Sequence, residues 1–354
     1  MKQKSQFNPA AGQSGHTPRL AWLKTIFSDM LTFFADETAP LNLSAALPGK
    51  PVVGRYIGYE KNDVPFPHRF NDAYLLGLYY LYRQTGKEDY LRRLTKIADF
   101  LVWSQYNDNG YSPLSKMTNI EWRYGFPDHH FSWKSGDIYE WKCFEPHHHE
   151  DCMAVYALIK AFEVTRNNKY LDRCEGWARY QLPRHGYNQG EWRGHQYLWS
   201  CYNPAGASGH DAVNNVQSLC SAALAPLGYH TGRKHLLEDA RMLLTYLCKE
   251  QRADGFWQYH GAEAQEKLGW NCTNFIYNAS YMQAQVWEML IALEYLEQAG
   301  ISCLGHVDSA LFKADEFFIK NGFTKRLAKT PEKKADDGFK HKTNDMDKYL
   351  QWVV

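Results

Sequence analysis

The chain has no pair of cysteines at CxxC spacing, although eight cysteines are scattered along its 354 residues. That absence argues against a ribbon-type metal site and against a dithiol redox motif. Cys174, Cys220 and Cys248 fall on apolar helical faces, so reduced core thiols are expected rather than a disulfide framework. Charge of one sign is also missing: 40 basic and 39 acidic residues leave a net charge of +1, with no block of like charge. Nucleic acid and anionic membrane are therefore not expected partners. No apolar run reaches the length of a membrane span. Residues 20–34 are amphipathic with internal Lys and Asp, a helix pattern rather than an export signal. The expected location is cytoplasmic, or periplasmic or secreted if an export signal was removed. There is no serine nucleophile elbow, phosphate-binding glycine loop, dinucleotide fingerprint or HExxH. Three Asn-x-Ser/Thr sequons, at Asn42, Asn271 and Asn278, carry little meaning in that setting.

What is abundant is aromatic: 24 Tyr, 18 Phe and 12 Trp, with 15 His beside them. Many lie in polar loops, as in Glu121-Trp122-Arg123-Tyr124 and Glu191-Trp192-Arg193. Aromatic faces beside Arg, Asn and His suit sugar rings, whose C–H faces stack and whose hydroxyls need planar polar partners.

One helical phrase recurs four times. Apolar residues at offsets 0, 1, 4, 7 and 8 begin at Tyr90, Tyr170, Leu236 and Ala310. Those offsets draw a single stripe at the helical period. Each copy is followed by Gly and an aromatic: Gly110-Tyr111, Gly186-Tyr187, Gly255-Phe256 and Gly322-Phe323. Glycine past a helix end is the expected left-handed stop. A second helix precedes each phrase, over about 71–85, 147–165, 210–229 and 278–298, joined by short turns. The preceding helices are apolar nearly all round and are expected to be buried; the striped ones face solvent. Inner and outer rings of helices make an all-α fold, an α/α toroid. Four hairpins and one N-terminal helix leave that ring short of a closed six. The expected organisation is a disordered segment 1–17, the toroid over 18–324 and a charged extension over 325–354.

The long connections, at about 107–146, 183–209 and 254–277, all lead from an outer helix to the next inner one. They share one end of the toroid, above the inner-helix N-termini, where the positive dipole ends suit an anion. Each inner helix also opens on polar residues. His68-Arg69 and Asn71-Asp72 lead the first, and His147-His148-His149-Glu150-Asp151 the second. His210-Asp211 with Asn214-Asn215 and Gln217 lead the third, and Asn278 with Tyr281 and Gln285 the fourth. Polar stripes on buried helices are costly unless satisfied, so a shared wet cleft is expected. A divalent metal at His147, Glu150 and Asp151, with His129 and His130 in reach, is the weaker option because no diagnostic spacing supports it. Glu150, Asp151 and Asp211 are carboxylates that could pair for glycoside hydrolysis, but nothing in the sequence fixes their separation.

These hairpins, polar inner-helix starts and aromatic-Arg loops resemble the α/α-toroid carbohydrate-active enzymes over about residues 20–323. Two branches fit: uronate polysaccharide lyases of the alginate and glucuronan type, and unsaturated glucuronyl hydrolases. The lyase resemblance implies β-elimination. Asn and His neutralise the C5 carboxylate, and a Tyr, with an Arg nearby, moves the proton. It implies a catalytic set of Tyr202, His149, His210, Asn214 and Arg193, with Tyr197 or Tyr281 as alternative phenols. Substrate contacts would come from Arg69, Trp122, Arg123, His148, Trp192, Tyr197, Asn215, Asn278 and Tyr281, with no cofactor. The partner implied is an acidic oligo- or polysaccharide. The hydrolase branch would instead make Asp211 the acid. A non-catalytic sugar-binding toroid is the alternative from outside enzymology.

Overall fold

The computed structural model describes residues 67–127, 130–134, 137–141, 145–202, 212–262, 279–302 and 305–322. The expected N-terminal segment, the helix near residues 18–36 and the charged C-terminal extension lie outside these residues. Among the described residues eight α-helices follow one another as four consecutive pairs, the first three packed as hairpins. They are α1 (Pro67–Thr85) with α2 (Glu88–Ser104), and α3 (His148–Thr165) with α4 (Asn168–Gly176). The third and fourth pairs are α5 (Asn214–Thr231) with α6 (Lys234–Glu250), and α7 (Ala279–Gln298) with α8 (Gly305–Lys320). No described helix is long and apolar enough to cross a membrane.

The division into rings follows burial. In α3 every residue from His148 to Ala161 is buried, and in α5 every residue from Asn214 to Gly228. The partners α2 and α6 bury one stripe over most of their length, including Leu94, Ile97, Ala98 and Leu236, Leu237, Ala240, and α6 is buried all round from Leu243 to Cys248. The first helices of the pairs pack in the order α1, α3, α5, α7. The first and last also meet, with the rings of Tyr80 and Trp287 6.3 Å apart. The inner helices thus gather around one axis, and α2, α4 and α6 lie outside their partners, which is the α/α toroid. The outer helix α8 lies against α6, where Phe256 and Phe317 bring their rings to 5.3 Å.

Two features depart from the sequence reading. The glycines of the Gly-aromatic steps do have positive φ: 72° at Gly110, 63° at Gly186, 90° at Gly255 and 73° at Gly322. They do not cap the helices in the first and third copies. There α2 and α6 end at Gln105 and Gln251 in ordinary backbone, and the glycine closes a turn a few residues later. Gly110 N donates to Asn107 O and Gly255 N to Arg252 O in the same manner. The second outer helix also stops short. After Gly176 it loosens into a π segment over Trp177–Gln181, then tightens to 3₁₀ over Leu182–His185, with Pro183 near its start. Gly176 allows the Tyr124 ring to lie directly on the helix backbone, where a β-carbon would come within 2.1 Å of it.

Among the described residues the long connections hold three two-stranded hairpins that helical periodicity does not reveal. They are β1–β2 (Tyr111–Ser112, Met117–Thr118), β3–β4 (His130–Lys134, Asp137–Trp141) and β5–β6 (Tyr187–Trp192, His195–Ser200). The third pairs Tyr187 with Ser200 through to Trp192 with His195 and packs on α6.

Candidate functional site

The N-terminal ends of α3 and α5 are held by the loops above them. Phe126 N donates to Asp151 Oδ1 at 2.8 Å, drawing the first loop onto α3. Burial pushes the Asp151 carboxyl well above its usual range, and this hydrogen bond only partly offsets it. At α5, Asn214 N donates to Tyr259 O, Asn214 Nδ2 to Gln258 O and Gly261 N to Ala212 O, each at 2.9 Å. Together with a bridge between Val213 and His260, these bonds lay Trp257, Gln258 and Tyr259 over the first turn of α5.

A small surface cleft results, with about 20 Å³ of room for the centres of water-sized molecules. Asn215, Gln258, Tyr259, Tyr281 and Gln285 line it, above Phe256, Trp257 and Met282. Asn215 is 8 % exposed, and its Oδ1 is buried without a hydrogen-bond partner; so is the Nε2 of Gln285. The Tyr259 and Tyr281 rings stand 5.7 Å apart. The Trp257 indole N–H is engaged by Leu247 O at 2.7 Å, which makes that ring a fixed floor. The cleft therefore offers one buried acceptor, one buried donor and two phenols beside aromatic faces. Sugar hydroxyls and carboxylates match that set. Gln258 and Tyr259 were not among the expected site residues, whereas Gln285 was expected as part of the polar start of its inner helix. The run Trp257-Gln258-Tyr259-His260, in the third long loop, was the signal that could have found the first two.

At the start of α3, His149 is the least buried of the three histidines at 8 % exposure, and its Nδ1 lies 3.4 Å from Glu150 Oε1. The rings of His147 and Tyr202 are 6.0 Å apart, and Tyr202 is half-buried. His149 and Tyr202 thus lie at the first turn of one inner helix, Asn214, Asn215 and Tyr281 at those of its neighbours.

Other expected contacts lie elsewhere. His148 turns into the core: it is fully buried, stacked on His185 at 4.2 Å, and its Nε2 is 2.7 Å from Ser200 Oγ. It cannot touch a substrate from there. Arg193 is an exposed residue at the tip of the β5–β6 hairpin, where φ values of 51° at Arg193 and 77° at Gly194 make the two-residue turn. Ser200, which bonds His148, ends the same hairpin, and seven residues of strand at about 3.3 Å each carry Arg193 away from it. Trp192 shares that tip, edge-on to His306 at 5.6 Å. Tyr197 is buried beside Tyr246 and under Lys249. Trp122 is buried against Tyr106, and Arg123 lies 4.5 Å over the Tyr180 ring. Asn214 holds the third loop through Gln258 O. His210, Asn278 and Asp211 lie outside the described residues, as does the side chain of Arg69.

No compact donor group forms from His147, Glu150 and Asp151, because Asp151 is turned to Phe126. Among the described residues the donor atoms that do gather are those of His148, Cys152 and Cys220.

One buried acid stands behind the cleft. Ser218 on α5 bonds Glu288 of α7 and lies 2.9 Å from Asn215 O. A hydroxyl has one proton for two acceptors, and both contacts are satisfied when Glu288 is protonated and donates to Ser218. Full burial agrees, raising the Glu288 pKa to about 8. Folding therefore favours the protonated form. Stability should fall as pH rises from the ordinary glutamate range toward 8. Glu288→Gln keeps the shape without the charge, and should be more stable than wild type by about 2 kcal/mol or more at pH 9. Urea unfolding at pH 6 and pH 9 checks this; equal losses in both proteins would refute it.

No protein-family model matches the chain, and no curated protein does either. Solved structures resemble it weakly. A cellobiose 2-epimerase from Bacillus thermoamylovorans B4167 aligns at 13 % identity with a TM-score of 0.49, covering 86 % of this chain and 71 % of the epimerase. A polysaccharide lyase aligns at 12 % identity and 0.49, covering 95 % of this chain and 87 % of the lyase. An unsaturated glucuronyl hydrolase specific for heparin aligns at 12 % identity and 0.36, covering 88 % of this chain and 100 % of the hydrolase. Likeness at this level transfers no activity to the chain.

Proposed function

We propose that the chain is a carbohydrate-active enzyme that cleaves a uronic-acid-containing polysaccharide by β-elimination at the cleft between α5 and α7. The observation that carries this reading is the pairing of unsatisfied buried amide atoms on Asn215 and Gln285 with the Tyr281 phenol in one aromatic-walled cleft. In this reading the N–H groups of Gln285 Nε2 and Asn215 Nδ2, with His149 at the neighbouring helix start, donate to the C5 carboxylate, while Asn215 Oδ1 accepts from a sugar hydroxyl. The positive ends of α3 and α5 add to its neutralisation. A neutralised carboxylate makes the C5 proton acidic and stabilises the enolate-like intermediate. The C5–H bond breaks as that proton passes to the Tyr281 oxygen. The phenol proton goes to the departing glycosidic oxygen as the C4–O bond breaks, and C4=C5 forms. Tyr281 takes this role ahead of Tyr202 because it shares the cleft with Asn215, whereas Tyr202 lies by His147.

The test is incubation with alginate, glucuronan, pectate and glycosaminoglycans while following the absorbance of a conjugated unsaturated uronate. A rise with one polymer is the expected result. Consumption of that chromophore in ready-made unsaturated oligosaccharides would overturn elimination in favour of hydrolysis. Binding without either change would make the cleft a non-catalytic sugar site.

A further inference from the structure

His148, Cys152 and Cys220 have no part in the proposed chemistry, yet they form an ordered cluster. All three are fully buried, and their donor atoms lie within 4.8 Å of one another. Cys152 is one turn beyond His148 on α3, and Cys220 faces them from the second turn of α5.

The hydrogen bonds around His148 settle its tautomer. Gln217 is fixed by the backbone of Ser200: Ser200 N donates to its Oε1 at 2.9 Å, and its Nε2 donates to Ser200 O at 2.8 Å. The amide therefore cannot be flipped. Ser200 Oγ lies 3.1 Å from that same Oε1, an atom that only accepts, so the hydroxyl proton points to Gln217. Ser200 Oγ must then accept from His148 Nε2 at 2.7 Å. This puts the ring proton on Nε2 and leaves Nδ1 with a lone pair. Nδ1 faces Cys152 Sγ at 3.6 Å.

Two ligands sharing a tetrahedral zinc, one imidazole nitrogen and one thiolate, sit about 3.5 Å apart when Zn–N is about 2.0 Å and Zn–S about 2.3 Å. The separation of Nδ1 and Cys152 Sγ has that size. Ligating histidines are also commonly oriented by a hydrogen bond from the other ring nitrogen, which Ser200 and Gln217 supply. Two thiolates balance the charge of one divalent zinc, so the completed group is neutral where no solvent screens it. Soft sulfur ligands disfavour magnesium and calcium.

We propose that His148 Nδ1, Cys152 Sγ and Cys220 Sγ bind one zinc ion that ties α3 to α5 just beneath the first turns carrying His149 and Asn215. Each thiol releases its proton on binding; no electron is transferred. The site is independent of which reaction the cleft performs, because it neither opens to the cleft nor shares a residue with it.

The full chain, stripped with a chelator under mild denaturation and refolded with zinc, should carry one zinc per molecule by elemental analysis. Cobalt(II) in its place should give thiolate-to-cobalt charge-transfer absorption. Cys220→Ser and Cys152→Ser should each lose the metal, and Cys248→Ser, a thiol in the outer helix α6, should keep it. If the cluster variants do not fold, Ser200→Ala serves instead. It leaves all three ligands in place and should weaken zinc binding about 10- to 100-fold by removing the partner of Nε2. Wild type that binds no stoichiometric zinc overturns the proposal. So does metal retained in both cysteine variants, or a Cys152–Cys220 disulfide detected as two missing titratable thiols.

Discussion

Glu163→Gln is expected to destabilise the protein by about 3–5 kcal/mol, the size of loss seen when one partner of a buried ion pair is removed. Glu163 lies near the C-terminal end of α3, at the end of the toroid opposite the cleft. Both of its oxygens lie 3.2 Å from Lys160 Nζ, whose side chain is almost wholly buried. Tyr79 of α1 donates to it at 2.7 Å, and Tyr295 of α7 donates as well. His230 of α5 approaches at 3.1 Å. One carboxylate therefore collects contacts from each of the four described inner helices. Lys160 meanwhile sits over the rings of Tyr79, Tyr156 and Tyr295 at 5.3, 5.3 and 4.7 Å. An amide at position 163 would leave that ammonium without its counter-charge and would replace an acceptor by a donor.

The pH dependence has a definite sign. Burial alone would raise the Glu163 pKa, but Lys160 and the hydrogen bonds from His230, Tyr295 and Tyr79 outweigh it and hold the carboxyl well below its usual range. A depressed pKa contributes stability above the unfolded value, near 4.3, and that contribution is lost as pH falls below it. Wild type should therefore lose urea resistance on going from pH 6 to pH 3, and the variant should lose less. Thermal melting at pH 7 should drop by about 4–7 °C. A loss under 1 kcal/mol would mean the network is not what closes that end. Lys160→Met together with Glu163→Leu should recover part of the loss, since two apolar side chains leave no buried charge behind.

This network also marks a limit of the sequence. Inner and outer helices were legible because apolar spacing separates a helix buried all round from one buried on a stripe; the expected 147–165 became His148–Thr165. Lys160 and Glu163 gave no such signal, because a charge near a helix end looks solvated until the other inner helices are placed around it. The three consecutive histidines show the same limit. Successive helix residues turn by about 100°, so the pattern cannot say which one faces the cleft. Packing put His148 in the core and left His149 at its edge. The β5–β6 hairpin was missed because Tyr197 to Ser200 are all buried, which erases the alternation that marks a strand. Its turn was still written in Arg193-Gly194, where both residues have positive φ, and the arginine expected as a catalytic group stands in that turn.

Tyr281→Phe carries the second large effect: turnover on the uronate polymer that proves to be the substrate should fall about 10²- to 10⁴-fold, the usual contribution of a positioned proton-transfer group. The change removes one oxygen and nothing else. Phenylalanine keeps the ring that faces Tyr259 at 5.7 Å, so KM and thermal stability should stay near wild type. Tyr202→Phe should keep turnover within about 10-fold, because its ring packs by His147 rather than in the cleft. Asn215→Ala should lower kcat and kcat/KM together, as expected of a group that stabilises developing charge more than it binds the ground state. Full activity in Tyr281→Phe with its loss in Tyr202→Phe would shift the reaction to the start of α3, with His149 and Tyr202 at its centre. Full activity in both would remove the phenol from the mechanism and leave the cleft as a place where the sugar is held, while its bond is broken elsewhere.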